Sequence, residues 1–143
     1  MASLIDHVYI TVSNINRALP FYDRLLKPMG ITRSVFNEGK NGLQGHPDIY
    51  GYGRGRRLFL WLKVGEVRAP SHVGFAAKSK EEVDAAYKEA IAEGGRPDVV
   101  FGGAPGPRKH YDDRYYAANI LDADGNEIEI TYKSFQHPSP GTD

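Results

Sequence analysis

Two histidines and one glutamate lie in segments of the sequence that alternate in polarity like β-strands. His7 lies in "IDHVYITV", His72 in "PSHVGFAA" and Glu129 in "NEIEITYK". The chain contains no cysteine, so imidazole and carboxylate groups are its available metal ligands. Two histidines with one carboxylate leave coordination positions open for a substrate. These residue types predict a site for a divalent metal, either iron, manganese, nickel or zinc, if the fold brings them together.

The alternation divides each of these segments into an apolar face and a polar face, because successive side chains of a strand point to opposite sides. The apolar series are Val8, Ile10 and Val12; Val73, Phe75 and Ala77; and Ile128, Ile130 and Tyr132. We expect these series to pack against helices. The three candidate ligands fall in the opposite series, which should line a cavity. Glutamate is costly to bury without a partner, so Glu129 between two isoleucines requires water or a cation.

The elements that would position these residues form a repeat with an offset of 65 residues. The offset places His7 on His72 and Gly30 on Gly95. Each copy has a strand, then an amphipathic helix that stops at a glycine, then extended runs. We therefore predict an α+β fold of two βαβββ modules, about 4–64 and 71–133, in one domain of about 1–133. The remaining residues, 134–143, are expected to form a disordered tail.

Local signals predict the ends of several elements. Ser13 or Asn14 should cap the first helix, and Pro20 inside it predicts a late start or a mild kink. Six runs predict strands that follow the helices: "ITRSVF", "DIYGYG" and "RLFLWLKV", then "DVVF", "RYYAANIL" and "NEIEITYK". The Asp-Gly step of "DADGN" predicts a hairpin between the last two. Pairing about Asp124 then places Asn119 opposite Glu129.

Charge and composition disfavour several classes of partner. The chain has 18 basic and 18 acidic residues, so no field spans the protein that would attract nucleic acid or an anionic membrane. The stretch "GYGRGRR" is better explained as a hairpin between two strands than as an RNA-binding segment. The N-terminal residues include no long apolar segment, so we expect no secretion signal. We expect a cytoplasmic protein whose partner is a small molecule, with no nucleic acid and no membrane.

Three stretches resemble the vicinal oxygen chelate superfamily, which contains glyoxalases, bleomycin-resistance proteins and extradiol dioxygenases. They are "DHVYITVSNINRALPFYDRLL", "HVGFAA" with its helix, and "LDADGNEIEI", which is similar to that superfamily's Asp-Pro-Asp-Gly-Asn-x-Ile-Glu ending with Ala123 in place of the proline. The resemblance implies a curved, incompletely closed mixed β-sheet barrel with helices on its outer face. It also implies that His7, His72 and Glu129 are metal ligands and that the protein forms a homodimer.

The same resemblance implies an enzyme whose substrate chelates the metal through adjacent oxygens: a lyase, an isomerase or a ring-cleaving dioxygenase. A fourth ligand position of the superfamily falls near Trp61, where glyoxalase I enzymes usually have Glu, Gln or His, so lactoylglutathione lyase activity is disfavoured. Another superfamily position, a tyrosine ten residues before the ligand glutamate, is Asn119 here. The alternative is a non-catalytic protein that binds drugs or other small molecules in an aromatic slot.

Further residues are candidates for the remaining roles. His110 and Tyr111, in the glycine- and proline-rich loop 101–114, are candidate catalytic residues for proton transfer, as is Glu127. The candidate substrate-binding residues, which should line the cavity, are Tyr9, Phe59, Trp61, Tyr115 and Asn119.

Overall fold

A computed structural model of the chain describes residues 4–135. The strands are β1 (Val8–Val12), β2 (Thr32–Asn37), β3 (Ile49–Arg54), β4 (Arg57–Val64), β5 (His72–Ala76), β6 (Arg96–Pro97), β7 (Gly106–Pro107), β8 (Tyr115–Leu121) and β9 (Glu127–Lys133). The α-helices are α1 (Ile15–Leu26) and α2 (Lys80–Ala92), and 3₁₀ turns cover Lys27–Met29, Gly39–Asn41 and Val99–Phe101. Residues 136–143 of the expected tail lie outside the described residues.

The strands form two mixed sheets with the same topology. The first has the order β1-β4-β3-β2, and the second has the order β5-β9-β8-β6 with β7 also paired to β8. In each sheet the edge strand β1 or β5 pairs in parallel with the last strand of its module, and the other pairs are antiparallel. The predicted α+β fold is confirmed: the two sheets form a curved, incompletely closed assembly with the helices outside.

The helices cover the apolar faces of the sheets and pack against each other. Asn14 caps α1 by accepting a hydrogen bond from Arg17 N at 3.2 Å. Since α1 begins at Ile15, directly after this cap, Pro20 does not delay its start. Ser79 caps α2 by accepting from Glu82 N at 3.1 Å. The core beneath the helices contains the buried series from β1, β4 and β9, namely Ile10, Val12, Leu60, Leu62, Ile128 and Ile130.

The side chain of Asn126 connects the two modules. Its Nδ2 donates to the carbonyl of Thr11 at the end of β1, and its Oδ1 accepts from Ser71 N, just before β5, at 2.9 and 2.8 Å. Asp122 supports this bridge by accepting from Asn126 Nδ2 and from Tyr22 Oη of α1 at 2.9 and 2.6 Å. The start of β5 is therefore held next to the end of β1, and not next to the beginning of β1.

The prediction of a strand at "DVVF" is wrong. Val99–Phe101 forms a 3₁₀ turn that ends at Gly102, whose φ is +117°. Val99 and Val100 are largely exposed, so neither side chain has a buried sheet face to hold it in an extended conformation. The following loop is also more ordered than its composition predicts, because Gly106–Pro107 pairs with β8. Among the helices in residues 4–135, none has both the length and the apolar content needed to cross a membrane.

Candidate metal centre

His72, Glu127 and Glu129 form a cluster on the concave face of the second sheet. Parallel pairing of β5 with β9 places His72 beside Glu127 and Gly74 beside Glu129. Nδ1 of His72 lies 2.7 Å from Glu127 Oε2, and Nε2 lies 3.4 Å from Glu129 Oε1. One ligand atom from each of the three residues can be chosen so that all three lie within 4.8 Å of one another. The imidazole ring is therefore held between two carboxylates.

Hydrogen bonds hold the Glu129 carboxylate in one orientation. Its Oε2 accepts from the hydroxyls of Tyr115 and Thr131, the latter at 2.7 Å. Its Oε1 accepts from Asn119 Nδ2 at 3.1 Å and keeps a second lone pair on the side of His72. Burial alone would raise the pKa of Glu129, but the hydrogen bonds outweigh burial and lower it. Glu129 is thus an ionised carboxylate with one oxygen directed at the imidazole.

Glu127 has the less favourable environment of the two carboxylates. Its Oε1 accepts from Asn119 Nδ2 at 2.6 Å, while its Oε2, within residues 4–135, has no hydrogen-bond partner of good geometry. Burial raises the pKa of Glu127, and the nearby charge of Glu129 adds to this, although Asn119 and His72 oppose it. A buried carboxylate oxygen without a hydrogen bond is costly unless a proton or a cation approaches it.

Asn119 and Arg108 lie beneath the two carboxylates. Arg108 is only 5% exposed, and its Nη2 donates to Asn119 Oδ1 at 3.0 Å. The same guanidinium donates to the carbonyls of Gly103, Ala104 and Gly106. This contact fixes the Asn119 amide so that its NH₂ group faces both glutamates. Sequence reasoning missed Arg108, since an arginine in a glycine-rich loop gives no signal that it is buried.

The cluster opens into a cavity of about 310 Å³. The cavity is lined by His72, Gly74, Phe75, Ala76, Tyr115, Glu129, Thr131 and Lys133. Its volume is at the lower end of the range for small-molecule sites. Tyr115 lines this cavity as expected, whereas Asn119 is buried beneath the carboxylates; both residues donate hydrogen bonds to Glu129.

The candidate residues of the first module lie on another surface. Tyr9 pairs with Trp61 across β1 and β4, and both belong to the face opposite the helices. The Trp61 ring lies over Gly51, where a Cβ atom would come within 2.7 Å of Cζ3. Phe59 belongs to the same series and is partly buried, with the Arg57 guanidinium 6.0 Å from its ring centre. These aromatic side chains form an exposed face that the single chain does not bring to the cluster.

His7 is also separate from the cluster within one chain. Its Nδ1 lies 2.6 Å from Asp6 Oδ1, and its side chain is about half exposed. The Asn126 bridge joins the region of His72 to Thr11, and four residues of extended strand, about 13 Å, separate Thr11 from His7. Among the described residues, the group whose ligand atoms lie close enough to hold one ion is His72, Glu127 and Glu129, and His7 of the same chain is not part of it.

The loop residues His110 and Tyr111 are exposed on the other side of Tyr115. Their ring centres are 4.1 Å apart, and the Tyr111 ring lies 5.0 Å from that of Tyr115. Tyr115 in turn donates to Glu129. Tyr111 is thus connected to the cluster through Tyr115, whereas His110 is connected to it through both Tyr111 and Tyr115.

The donor set fits a divalent metal. Ligand atoms that lie about 2.1 Å from one ion are themselves about 3 Å apart, and His72 Nε2 and Glu129 Oε1, 3.4 Å apart, are close to this value. The free lone pair of Glu129 Oε1 and the unsatisfied Glu127 Oε2 both suit a cation. Nitrogen and oxygen donors without sulfur suit iron, manganese, nickel or zinc.

Residues 4–130 match the Glyoxalase/Bleomycin resistance protein/Dioxygenase superfamily. The chain belongs to this superfamily. A glyoxalase/bleomycin resistance protein from Albidiferax ferrireducens is 29% identical, with a TM-score of 0.72 over 91% of this chain and 99% of that one. No curated protein matches the sequence.

Two further superfamily structures share the fold at lower identity. A mutant fosfomycin resistance protein from Listeria monocytogenes, complexed with Mn(II) and a dihydroxypropylphosphonic acid, is 15% identical, with a TM-score of 0.61 over 91% of this chain and 90% of that one. A lactoylglutathione lyase from Agrobacterium tumefaciens is 19% identical, with a TM-score of 0.60 over 95% and 98%. Both share the glyoxalase fold with this chain.

Proposed function

We propose that the protein is a metal-dependent enzyme of glyoxalase or dioxygenase type that acts on a small substrate with adjacent oxygen atoms. The observation that carries this proposal is the cluster of His72, Glu127 and Glu129, which places an imidazole between two buried carboxylates at the base of an open cavity. The Mn(II) complex of the fosfomycin resistance protein, which has the same fold, supports a metal site in a protein of this fold.

His72 and Glu129 hold the metal, and His7 of a second copy completes the site. Within one chain His7 lies too far from the cluster, yet the concave faces of both sheets are open, with Tyr9 41% exposed. A two-fold dimer can place the first module of each copy over the second module of the other. This arrangement brings Tyr9, Phe59 and Trp61 to the cavity together with His7. The protein would then act as a cytoplasmic homodimer with two shared sites.

A bound divalent ion would supply a Lewis acid that stabilises negative charge on the oxygens of a chelating substrate. The chain itself supplies the groups around that ion. Glu129 binds through Oε1 while Tyr115 and Thr131 hold its other oxygen, and Asn119 keeps both carboxylates in place. The aromatic face of the partner copy would form an apolar wall that orients the substrate and excludes water.

The candidate residues for proton transfer lie at the edge of the cavity. Tyr111 reaches the site through Tyr115, and His110 extends the same row of rings toward solvent. Trp61 in place of a fourth ligand still disfavours lactoylglutathione lyase activity, so isomerase, other lyase and dioxygenase reactions should be assayed first.

Metal analysis tests the proposal. Protein purified without chelator or immobilised-metal resin should bind about one Mn(II), Fe(II), Ni(II) or Zn(II) per chain, and the His72→Ala and Glu129→Gln variants should lose it. His46→Ala is a matched control, because His46 is exposed on the far loop of the first module. If the wild type binds none of these ions, the alternative of a non-catalytic binding protein with an aromatic slot replaces the enzyme.

A further inference from the structure

The two nitrogens of the His72 ring face different carboxylates. Nδ1 lies 2.7 Å from Glu127 Oε2, and Nε2 lies 3.4 Å from Glu129 Oε1. The lone pairs of an imidazole diverge, so a single ion can bind only one of the two nitrogens. The nitrogen on the side of Glu129 is the one that shares an ion with that carboxylate. The other nitrogen must then carry the proton.

We propose that Glu127 is a positioning residue, whose Oε2 accepts the Nδ1 proton of His72 and leaves Nε2 free to bind metal beside Glu129. This inference rests on the proposed metal site. Histidines that bind metal usually donate their other N–H to a carboxylate or a carbonyl, which fixes the tautomer and the ring orientation. Glu127 Oε2 suits this role, since it lies 2.7 Å from Nδ1 and within the described residues accepts no hydrogen bond from a competing donor.

The hydrogen bonds beneath the cluster make Glu127 difficult to replace. Arg108 donates to Asn119 Oδ1, so the Asn119 NH₂ group must point at the two glutamates. Glu127 therefore lies between two nitrogens, one near each of its oxygens: Asn119 Nδ2, which donates to Oε1 at 2.6 Å, and His72 Nδ1, which lies 2.7 Å from Oε2. A carboxylate can accept from both, whereas a glutamine has only one oxygen.

This geometry predicts a specific outcome for Glu127→Gln. The new carboxamide oxygen should accept from Asn119, which leaves its NH₂ group facing His72 Nδ1. Nδ1 must then become the acceptor, and the proton moves to Nε2, where it points at Glu129 and blocks the metal. We expect the metal affinity to fall about 10- to 100-fold, the range typical for loss of a partner of a ligand.

Phe101 provides a second restraint on the same ring. Its ring meets that of His72 edge to face, with centres 5.1 Å apart. This packing limits rotation of the imidazole but offers it no hydrogen bond. Phe101 can therefore hold the plane of the ring, while the protonated nitrogen is determined by the two carboxylates, of which Glu127 is the nearer.

The test is the tautomer of His72 in the metal-free protein, measured by two-dimensional ¹H–¹⁵N spectroscopy at about pH 8.5, where a free imidazole is neutral. The wild type should carry the proton on Nδ1, and Glu127→Gln should carry it on Nε2. Glu127→Ala should lose the preference for Nδ1. Glu66→Gln, which removes the same charge from an exposed side chain, should match the wild type.

Metal titration of the same variants completes the test. Glu127→Gln should bind about 10- to 100-fold more weakly and Glu66→Gln as tightly as the wild type. A wild-type His72 that carries its proton on Nε2 would overturn the proposal, even if the variants failed to fold. An unchanged tautomer in a folded Glu127→Gln protein would also overturn it. A wild type with the Nδ1 proton and no metal affinity would support the positioning by Glu127 and contradict the proposed metal site.

Discussion

Arg108 donates a hydrogen bond from Nη2 to Asn119 Oδ1 at 3.0 Å, and this contact orients the amide that holds both carboxylates of the cluster. The arginine is almost fully buried and is bound by an amide oxygen and three backbone carbonyls. It therefore joins the loop before β8 to the floor of the candidate site. The cluster depends on a residue that does not reach the cavity itself.

Replacement of this arginine should destabilise the protein. Arg108→Leu removes a charged donor from four acceptors and should lower the free energy of unfolding by about 2–3 kcal/mol. Arg114→Leu in the same segment is a suitable control, because Arg114 is exposed and pairs with Asp112 at the surface. Its effect should be much smaller than that of Arg108→Leu, because solvent screens an exposed ion pair. Urea unfolding of both variants measures the difference, and equal losses would contradict the structural role of Arg108.

Tyr115 should keep its proton well above neutral pH. Burial, with a further contribution from the hydrogen bond to Glu129, raises its pKa to about 12. A tyrosine in the unfolded chain loses its proton near pH 10. The stabilisation from Tyr115 is therefore present below about pH 10 and decreases as the pH rises toward 12.

Ultraviolet titration can isolate this group. The difference in absorbance between the wild type and Tyr115→Phe should show a midpoint near 12. In Glu129→Gln the midpoint should move down, because a neutral amide stabilises the phenol less than a carboxylate does. A Tyr115 midpoint near pH 10, or one that does not change in Glu129→Gln, would show that the hydrogen bond from Tyr115 to Glu129 is absent in solution.

Gly51 should be required by the indole that lies over it. In Gly51→Ala the new Cβ would come within 2.7 Å of Trp61 Cζ3, so the ring must move. We expect a loss of about 1–3 kcal/mol of stability. The emission of Trp61, the single tryptophan of the chain, should shift as well. Gly65→Ala, where the nearest atom is 3.8 Å away, should change neither quantity.

Strand alternation and hairpin chemistry predicted much of the second sheet from the sequence. The Asp-Gly turn predicted the register of β8 on β9, and the structure pairs Asn119 with Glu129 as expected. Period-two alternation separated Ile128 and Ile130 from Glu129, since a side chain's face depends only on local geometry. The repeat likewise predicted that the two modules share one order of elements.

The relationships between distant segments could not be predicted in this way. The pairing of His72 with Glu127 depends on the parallel register of β5 on β9, for which no turn provides a local signal. Alternation places His7 on the strand face that should line a cavity, but it does not indicate which module lies opposite that face. Val99 and Val100 have high strand propensity, yet they form a 3₁₀ turn, because their side chains are largely exposed and do not pack on a buried sheet face.

The central claim is that two copies share each metal site, with His72 and Glu129 from one chain and His7 from the other. Its most direct test is metal binding by a mixture of His7→Ala and His72→Ala chains, co-expressed or refolded together. Each variant alone should bind poorly. The mixture should recover about a quarter of the wild-type sites, because half of its dimers are mixed and each mixed dimer contains one intact site. A mixture that binds no more metal than the separate variants would contradict the shared site.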